Sequence, residues 1–365
     1  MSAALAVRSE LAQTDGGLEA RIVNAYKYAA SVVSRVVSDG YLGMVKTIPQ
    51  LYRFLYDRAE QAAEVGLLRT WIHQFSASNM RPLIENFRPD AVVCTHAFPC
   101  AVMAEYKKLF ADAPPVLGIV TDFAVHAFWA HRNIEAYAVG AAELRPMLGA
   151  RGIATDRVHV TGIPVHRGFG TPPADRDDLR RRLHLPLDRH VVALMGGGLG
   201  IGPLEQMMHA IDELDMSACA VAIVGRSASL ERRVLEYAQR VHYPVRVLRF
   251  VENVYDFMHA SDLLITKPGG LTAAEALAAE LPLVFYKPLP GQEERNSRYL
   301  VAHRVARRAK TVDELRRTVQ SLLASPAKRE GMRAAMHPLR KPHAAAAAAE
   351  LVHSLASSRK KKAIA

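Results

Sequence analysis

The chain has 365 residues, of which 50% are apolar and 23% charged, so a fibrous or intrinsically disordered protein is excluded and two domains with separate cores are expected. Lysine and arginine (47) exceed aspartate and glutamate (36), and the net charge of +11 favours nucleotide phosphates, anionic lipid headgroups or nucleic acid as partners. The 3 cysteines lack metal-ligand spacing, which argues against a zinc site or a disulfide framework and favours a reducing cytoplasm.

The first half of the chain alternates predicted helices and strands. Residues 2–13 have helical spacing, residues 20–26 are predicted as a strand, and residues 31–60 carry aromatic and apolar residues at mostly helical intervals. Further strands are predicted in DAVVCTH, VLGIVTD and HVTGIP, with a helix in AVMAEYKKLF between the first two. This alternation is typical of a parallel sheet covered by helices.

The second half repeats this alternation. Strands are predicted in VVALMGG, AVAIVG, VRVLRF, DLLITK and PLVFYK, which indicates a second doubly wound domain. No apolar run reaches the roughly 20 residues of a membrane-spanning helix, so any membrane association is expected to be peripheral. The predicted organisation is a first domain at 1–165, a linker at 166–178, a second domain at 179–342, and a C-terminal helix with a basic tail at 343–365.

The segment SDLLITKPGGLTAAEALA predicts an anion site in the second domain. A buried strand runs into Gly269 and Gly270, and Leu271 and Thr272 open the next helix. The free N–H groups and positive dipole end of such a helix suit a diphosphate. Glu275, one turn further on, is within reach of ribose hydroxyls. A tight turn that binds no ligand is the alternative for these residues alone.

Two other polar or glycine-rich segments of this domain follow predicted strands. In MGGGLG, Gly197 and Gly198 allow the backbone to approach a phosphate or a sugar closely. In PLPGQEERN, a polar loop with Gln292, Glu293 and Asn296 is predicted at the carboxyl end of a strand, where open α/β sheets bind ligands. Their amide and carboxylate groups suit sugar hydroxyls, and an ordinary surface turn is the alternative.

Three residues of the first domain are candidates for a general base. Asp122 and His126 come just after a predicted strand in TDFAVHAFW, and His96 follows another strand of the same sheet. Asp122 ranks first and His126 second. For His96, a structural hydrogen-bonding role is the alternative.

Together these segments resemble the monogalactosyldiacylglycerol synthases and processive diacylglycerol glucosyltransferases of glycosyltransferase family 28. The resemblance covers nearly the whole chain and is carried by SDGYLGMVKTIPQLYRFLYD, RPDAVVCTHAFP, VTDFAVHAFW, VHVTGIPV, MGGGLG, VENVYDFMHASDLLITKPGGLTAAEAL and PLPGQEERN. It implies an α/β fold of the GT-B type, in which two Rossmann-like doubly wound domains face each other across a cleft. It also implies transfer of glucose or galactose from UDP-glucose or UDP-galactose to diacylglycerol, with inversion, by a peripheral enzyme on the cytoplasmic face of the cell membrane.

The resemblance further implies where each part of the donor binds. The nucleotide base is assigned to the backbone of Phe250 and Val251, and the ribose to Glu275. The diphosphate is assigned to residues 270–272, and the hexose to Gln292 and Glu293. No metal or other cofactor is expected, because helix dipoles meet the leaving-group charge. The region of residues 41–56 is expected to touch an anionic lipid membrane surface, with a buried helical stripe as the alternative.

The N-terminus departs from the family pattern. Family members begin with a strand and a glycine-rich loop that ends in a histidine, whereas this sequence opens on the helix that follows them. The expectation is a first domain that lacks its first strand and glycine-rich loop, and a protein that binds UDP-sugar but turns over slowly or not at all.

The sequence also leaves two alternative functions. One alternative is a transferase to another lipid-linked acceptor, as in the N-acetylglucosamine transfer of peptidoglycan synthesis; TDFAVHAFW and THAFP favour diacylglycerol. A second is a truncated, inactive nucleotide-sugar-binding protein. Nucleic acid is not expected as a partner, because the basic residues are scattered and form no recognition motif.

Overall fold

The computed structural model describes residues 2–14, 17–29, 63–196 and 202–364. The chain divides into two compact units, a first unit of residues 1–164, 289–292 and 343–365 and a second unit of residues 165–288 and 293–342. Each unit contains a parallel sheet with helices between its strands. The predicted α/β class is therefore confirmed.

The first unit has a four-stranded sheet in the order β1-β2-β3-β4, in which all neighbours are parallel. Its strands are β1 (Val92–Cys94), β2 (Val116–Ile119), β3 (Ala136–Ala138) and β4 (Val158–His159). Its helices are α1 (Ser2–Thr14), α2 (Ala63–Phe87), α3 (Ala97–Leu109), α4 (Leu144–Gly149) and α13 (Ala344–Ile364). The strand β1 lies at one edge of this sheet.

The core of the first unit joins the two ends of the chain. Leu117 of β2 packs in one apolar cluster with Val7 and Leu11 of α1 and with Ala348 and Val352 of α13. The alanine-rich sequence of α13 explains this packing, because small side chains let a helix approach its neighbours closely. The C-terminal helix is thus part of the first unit rather than a separate appendage.

The second unit has a six-stranded sheet in the order β10-β9-β8-β5-β6-β7, again fully parallel. Its strands are β5 (His190–Met195), β6 (Ala218–Gly225), β7 (Val245–Arg249), β8 (Leu263–Thr266), β9 (Leu283–Tyr286) and β10 (Ala306–Ala309). Its helices are α5 (Arg176–Arg182), α6 (Leu204–Asp212), α7 (Ala228–Ala238), α8 (Val254–Ala260), α9 (Gly270–Ala278), α10 (Gln292–Ala302, which starts in the first unit's short insert), α11 (Val312–Leu323) and α12 (Pro326–Met336).

Some predicted elements differ from the structure. Residues 20–26 are not a strand; irregular chain leads into a 3-10 turn at Ala25–Tyr28, where the Asn24 side chain accepts a hydrogen bond from the Tyr26 N–H. This local cap satisfies the backbone without a neighbouring strand. The short strands β3 and β10 were not predicted. Most of the region 31–60, including residues 41–56, lies outside the described residues.

Among the helices in the ranges given above, none is both long enough and apolar enough to cross a bilayer.

Candidate functional site

The predicted donor-binding segments of the second unit follow β5, β8 and β9 and lie at the carboxyl-terminal end of its sheet. Met195 of β5 pairs with Thr266 of β8, and Thr266 pairs with Phe285 of β9, so these three strands end level with one another. The Thr266 hydroxyl also donates a hydrogen bond to the Met195 carbonyl over 3.1 Å. Since ligands of open parallel sheets bind at the carboxyl ends of the strands, the turns that follow are suitably placed.

The turn after β8 leads directly into the N-terminus of α9. Gly269 is the N-cap residue, with φ −71° and ψ 138°, and it provides no side-chain hydrogen bond to the helix. A Cβ atom built on Gly269 would meet nothing within 4 Å, so open space lies in front of the turn. Gly270 is buried, whereas Leu271 and Thr272 are half-buried. Backbone N–H groups of a first helical turn beside open space are suited to an anion.

Glu275 lies in α9, one turn beyond this N-terminus. Its side chain is half-buried, and the loss of solvation raises the pKa of its carboxyl group to about 8. Glu275 is therefore mainly protonated at neutral pH. A neutral carboxyl group both donates and accepts hydrogen bonds, as ribose hydroxyls do.

The glycine-rich turn after β5 has its two ends in close contact. A Cβ atom on Gly202 would lie 2.2 Å from the Gly196 Cα, so a side chain at position 202 is incompatible with this approach. Gly197 and Gly198, the two predicted ligand residues of this turn, lie outside the described residues.

The predicted polar loop at residues 292–296 is instead the beginning of α10, so that part of the prediction is wrong. Gly291, with φ +88°, ends the preceding turn, and acidic Glu293 and Glu294 then favour a helix N-terminus. The buried Asn296 side chain donates to the Pro268 carbonyl over 3.1 Å. This bond joins the first turn of α10 to the turn after β8.

Glu293 also approaches that turn through its side chain. Its Oε1 lies 3.3 Å from Nζ of Lys267, a residue that is buried at the end of β8. Gln292 belongs to the first unit, where its amide donates a hydrogen bond to the Asp122 carboxylate.

The three candidate bases of the first unit follow neighbouring strands. His96 comes after β1, while Asp122 and His126 come after β2. His96 caps the N-terminus of α3, and His126 caps a 3-10 turn at Ala127–Trp129. Nδ1 of His96 accepts a hydrogen bond from the Phe98 N–H and Nδ1 of His126 from the Phe128 N–H, each over 3.3 Å. Asp122 and His126 are buried and His96 is exposed.

Phe250 and Val251 follow β7, at the far side of the second sheet from β9. Three strand steps separate β7 from β8, which is about 14 Å at the usual spacing of neighbouring strands. The Phe250 ring is 52% exposed, and the Arg226 guanidinium lies 4.5 Å from its centroid. An extended nucleotide with its base here and its diphosphate at α9 would run along the carboxyl edge of the sheet.

Two family models together match most of the chain. The model of monogalactosyldiacylglycerol (MGDG) synthase matches residues 1–165, and that of glycosyl transferases group 1 matches residues 175–336. The chain is therefore similar to monogalactosyldiacylglycerol synthases in its first part and to glycosyl transferases group 1 in its second. These matches confirm the predicted enzyme class, a UDP-sugar-dependent glycosyltransferase.

Curated relatives and solved structures agree with these two matches. The processive diacylglycerol beta-glucosyltransferase of Bacillus pumilus is 27% identical to this protein, over 88% of this chain and 83% of the relative. The enzyme of the same name from Bacillus licheniformis is also 27% identical, over 86% of this chain and 80% of the relative. MurG of Acinetobacter baumannii superposes with a TM-score of 0.57 at 16% identity, over 78% of this chain and 79% of its own. The glycosyltransferase of kitacinnamycin gives a TM-score of 0.57 at 16% identity, over 81% of this chain and 84% of its own. These structural likenesses confirm the GT-B fold.

Three features of this glycosyltransferase were missed by sequence reasoning. The first is the contact of Lys267 with Glu293, and the second is Arg226, whose position after the strand AVAIVG was the available signal. The third is a cavity of about 620 Å³ in the first unit, lined by α1, residues 17–25, the end of α2, β1 and α13. No cluster of potential metal ligands occurs in the part of the chain that the structure describes.

Proposed function

We propose that this glycosyltransferase moves glucose or galactose from the corresponding UDP-sugar to diacylglycerol. The observation that carries the proposal is that β5, β8 and β9 end at the same level of the sheet. The proposed donor-binding segments that follow β5 and β9 therefore lie next to the turn after β8, where open space adjoins the N-terminus of α9. The names of the Bacillus relatives support diacylglycerol as the acceptor.

In the proposed donor complex, each part of the UDP-sugar has its own partner. The diphosphate accepts hydrogen bonds from the first turn of α9, Glu275 binds the ribose, and the base lies against the backbone at Phe250. Glu293 and Gln292 bind hydroxyls of the hexose. Extended binding of this kind lets the dipole of α9 stabilise the charge that develops on departing UDP.

The chemical step is a displacement with inversion at the anomeric carbon. The acceptor hydroxyl forms the new bond to this carbon while the bond to UDP breaks. Its proton passes to a general base, for which Asp122, His126 and His96 are the candidates in that order. No metal or other cofactor is part of the proposal, since helix N–H groups meet the diphosphate charge.

We also propose that the enzyme works as a peripheral protein on the cytoplasmic face of the cell membrane. Its net charge of +11 favours an anionic lipid surface. The exposed aromatic pair Trp71 and Phe75 on α2 is suited to the interface between water and lipid.

The test is transfer of labelled sugar into lipid. Anionic vesicles with and without diacylglycerol are incubated with the protein and radiolabelled UDP-glucose or UDP-galactose. Labelled glycolipid that depends on diacylglycerol is the expected result. UDP binding without labelled lipid from either sugar would contradict the proposed acceptor, and an N-acetylglucosamine donor with a lipid-linked sugar acceptor would then be tested.

A further inference from the structure

A buried ammonium group lies next to the proposed donor site. The Lys267 side chain is only 8% exposed, and this residue immediately precedes the Pro268-Gly269 turn. Its Nζ is 3.3 Å from Oε1 of Glu293, whose side chain is 21% exposed. All of these atoms belong to the second unit.

A charge in this position needs a specific partner. Removing an ammonium group from water is costly unless an opposite charge or several acceptors compensate it. Glu293 provides the opposite charge here. The ion pair therefore ties the position of the Glu293 carboxylate to Lys267.

The backbone around the pair is also fastened. Asn296, one turn after Glu293 on α10, is fully buried and bonds to the Pro268 carbonyl over 3.1 Å. The first turn of α10 is thus held against the same turn that opens, at Gly269, toward the proposed diphosphate position. A carboxylate has about four lone-pair sites, which is more than contact with one ammonium group occupies.

We propose that Lys267 is a positioning residue for the sugar of the donor. It holds the Glu293 carboxylate in a fixed orientation, and Glu293 then accepts hydrogen bonds from the hexose hydroxyls. Lys267 itself does not contact the diphosphate in this arrangement. The inference rests on the proposed function, because it assumes a nucleotide-sugar donor at this site.

The two possible roles of the ammonium group differ in which ligand they affect. A residue that positions Glu293 influences binding of the sugar and therefore of UDP-glucose or UDP-galactose, but not of UDP. A residue that contacts the diphosphate influences UDP and the UDP-sugars alike. Affinities for UDP and for a UDP-sugar, measured on the same variants, separate the two roles.

The experiment is calorimetric titration of UDP, UDP-glucose and UDP-galactose into the full chain and three variants: Lys267→Met, Glu293→Gln and the double variant. For each variant, the dissociation constant for UDP is expected to stay within about twofold of that of the unmodified chain. The dissociation constant for the preferred UDP-sugar is expected to rise about tenfold, as for the loss of one charge-assisted hydrogen bond. The double variant is expected to be no weaker than either single variant, because the two residues act as one unit.

Controls address folding and general charge effects. The double variant removes both charges of the ion pair, so it remains informative if one single variant folds poorly. The thermal midpoint of each variant reports its folding. Lys287→Met removes an exposed lysine that bonds to Gln206 at the end of β9, and it should leave the ratio of UDP-sugar to UDP affinity unchanged.

Several results would overturn the inference. A parallel loss of UDP and UDP-sugar affinity in Lys267→Met would place the ammonium group on the diphosphate instead. An unchanged UDP-sugar affinity in Lys267→Met and in the double variant would leave Lys267 without a role in sugar binding. Failure of the unmodified chain to bind any of the three ligands would contradict the proposed function and this inference together.

Discussion

At the scale of single residues, Glu275 has the property that local sequence could not reveal. Burial raises the pKa of its carboxyl group to about 8 from an ordinary value of 4.5. The folded protein therefore holds a proton that the unfolded chain releases at lower pH. This difference links the stability of the second unit to pH.

We expect Glu275→Gln to reduce the pH dependence of the free energy of unfolding. Because the folded pKa is raised, the contribution of Glu275 is fully present below about pH 4.5 and is lost as the pH rises through about 8. Between pH 5 and pH 8.5 the unmodified chain should lose on the order of 2–4 kcal/mol more than the variant. Urea unfolding at both pH values measures this, and equal losses in the two proteins would contradict it.

At the scale of secondary-structure elements, the proposed diphosphate site depends on the N-terminus of α9. Gly269 has ordinary backbone angles for any residue, and a Cβ atom there meets no protein atom within 4 Å. Folding therefore does not require glycine at this position. The proposed diphosphate, which approaches the backbone here, would require it.

We accordingly expect Gly269→Ala to fold normally and to bind UDP at least tenfold more weakly, because the new methyl group occupies the space of the diphosphate. Gly331→Ala is the matched control, since Gly331 is an exposed position inside α12 with open space around its Cβ. The control should gain about 0.5–1 kcal/mol of stability and keep its UDP affinity. Unchanged UDP affinity in Gly269→Ala would remove the diphosphate from this turn.

A second element, α2, presents aromatic residues to solvent. Trp71 is 57% and Phe75 40% exposed, and their rings stack with centroids 5.7 Å apart. Tryptophan is favoured at the boundary between water and lipid. The other of the 2 tryptophans, Trp129, is buried, so Trp71 is a natural fluorescent probe of this surface.

We expect anionic vesicles to shift the tryptophan emission to shorter wavelength and Trp71→Ser to weaken vesicle binding about tenfold, as for loss of one large apolar contact with the bilayer. Leu235→Ser, at a similarly exposed position of the second unit, should bind vesicles normally. Vesicle binding with unchanged emission would exclude α2 as the membrane contact. Transfer to detergent-dispersed diacylglycerol should survive in Trp71→Ser.

At the scale of the whole molecule, each unit has its own sheet and its own apolar core. The main core of the second unit gathers buried residues from its central strands and from α6, α7 and α11, whereas the core of the first unit includes α1 and α13. Separate cores favour separate unfolding transitions. Of the described residues proposed to bind the donor, all except Gln292 belong to the second unit.

Saturating UDP is therefore expected to stabilise one unit selectively. At 100 times its dissociation constant, a ligand stabilises the folded state by about 2.7 kcal/mol. Differential scanning calorimetry should show a transition of the second unit that moves upward by several degrees and a transition of the first unit that stays in place. Equal shifts of both transitions would contradict a donor site built within the second unit.

Several features followed from the sequence because their causes are local. The alternation of β-branched runs with helical spacing predicts parallel sheets, and glycine before a helix predicts the turn at residues 269–270. The family motifs predict the enzyme class for the same reason, since each motif is a short continuous segment. The helix beginning at Gln292 was also encoded locally, in Gly291 and the acidic residues after it, but its polarity was interpreted as a loop.

Other features depended on contacts between distant parts of the chain. The register of Met195, Thr266 and Phe285, the ion pair of Lys267 with Glu293, the packing of α13 against α1 and the raised pKa of Glu275 are of this kind. Each arises from burial or from the meeting of residues far apart in sequence, and neither periodicity nor composition specifies such meetings. The sequence by itself therefore determined the fold class, the enzyme class and the turns, whereas the tertiary structure decided which side chains meet, because only packing brings distant residues together.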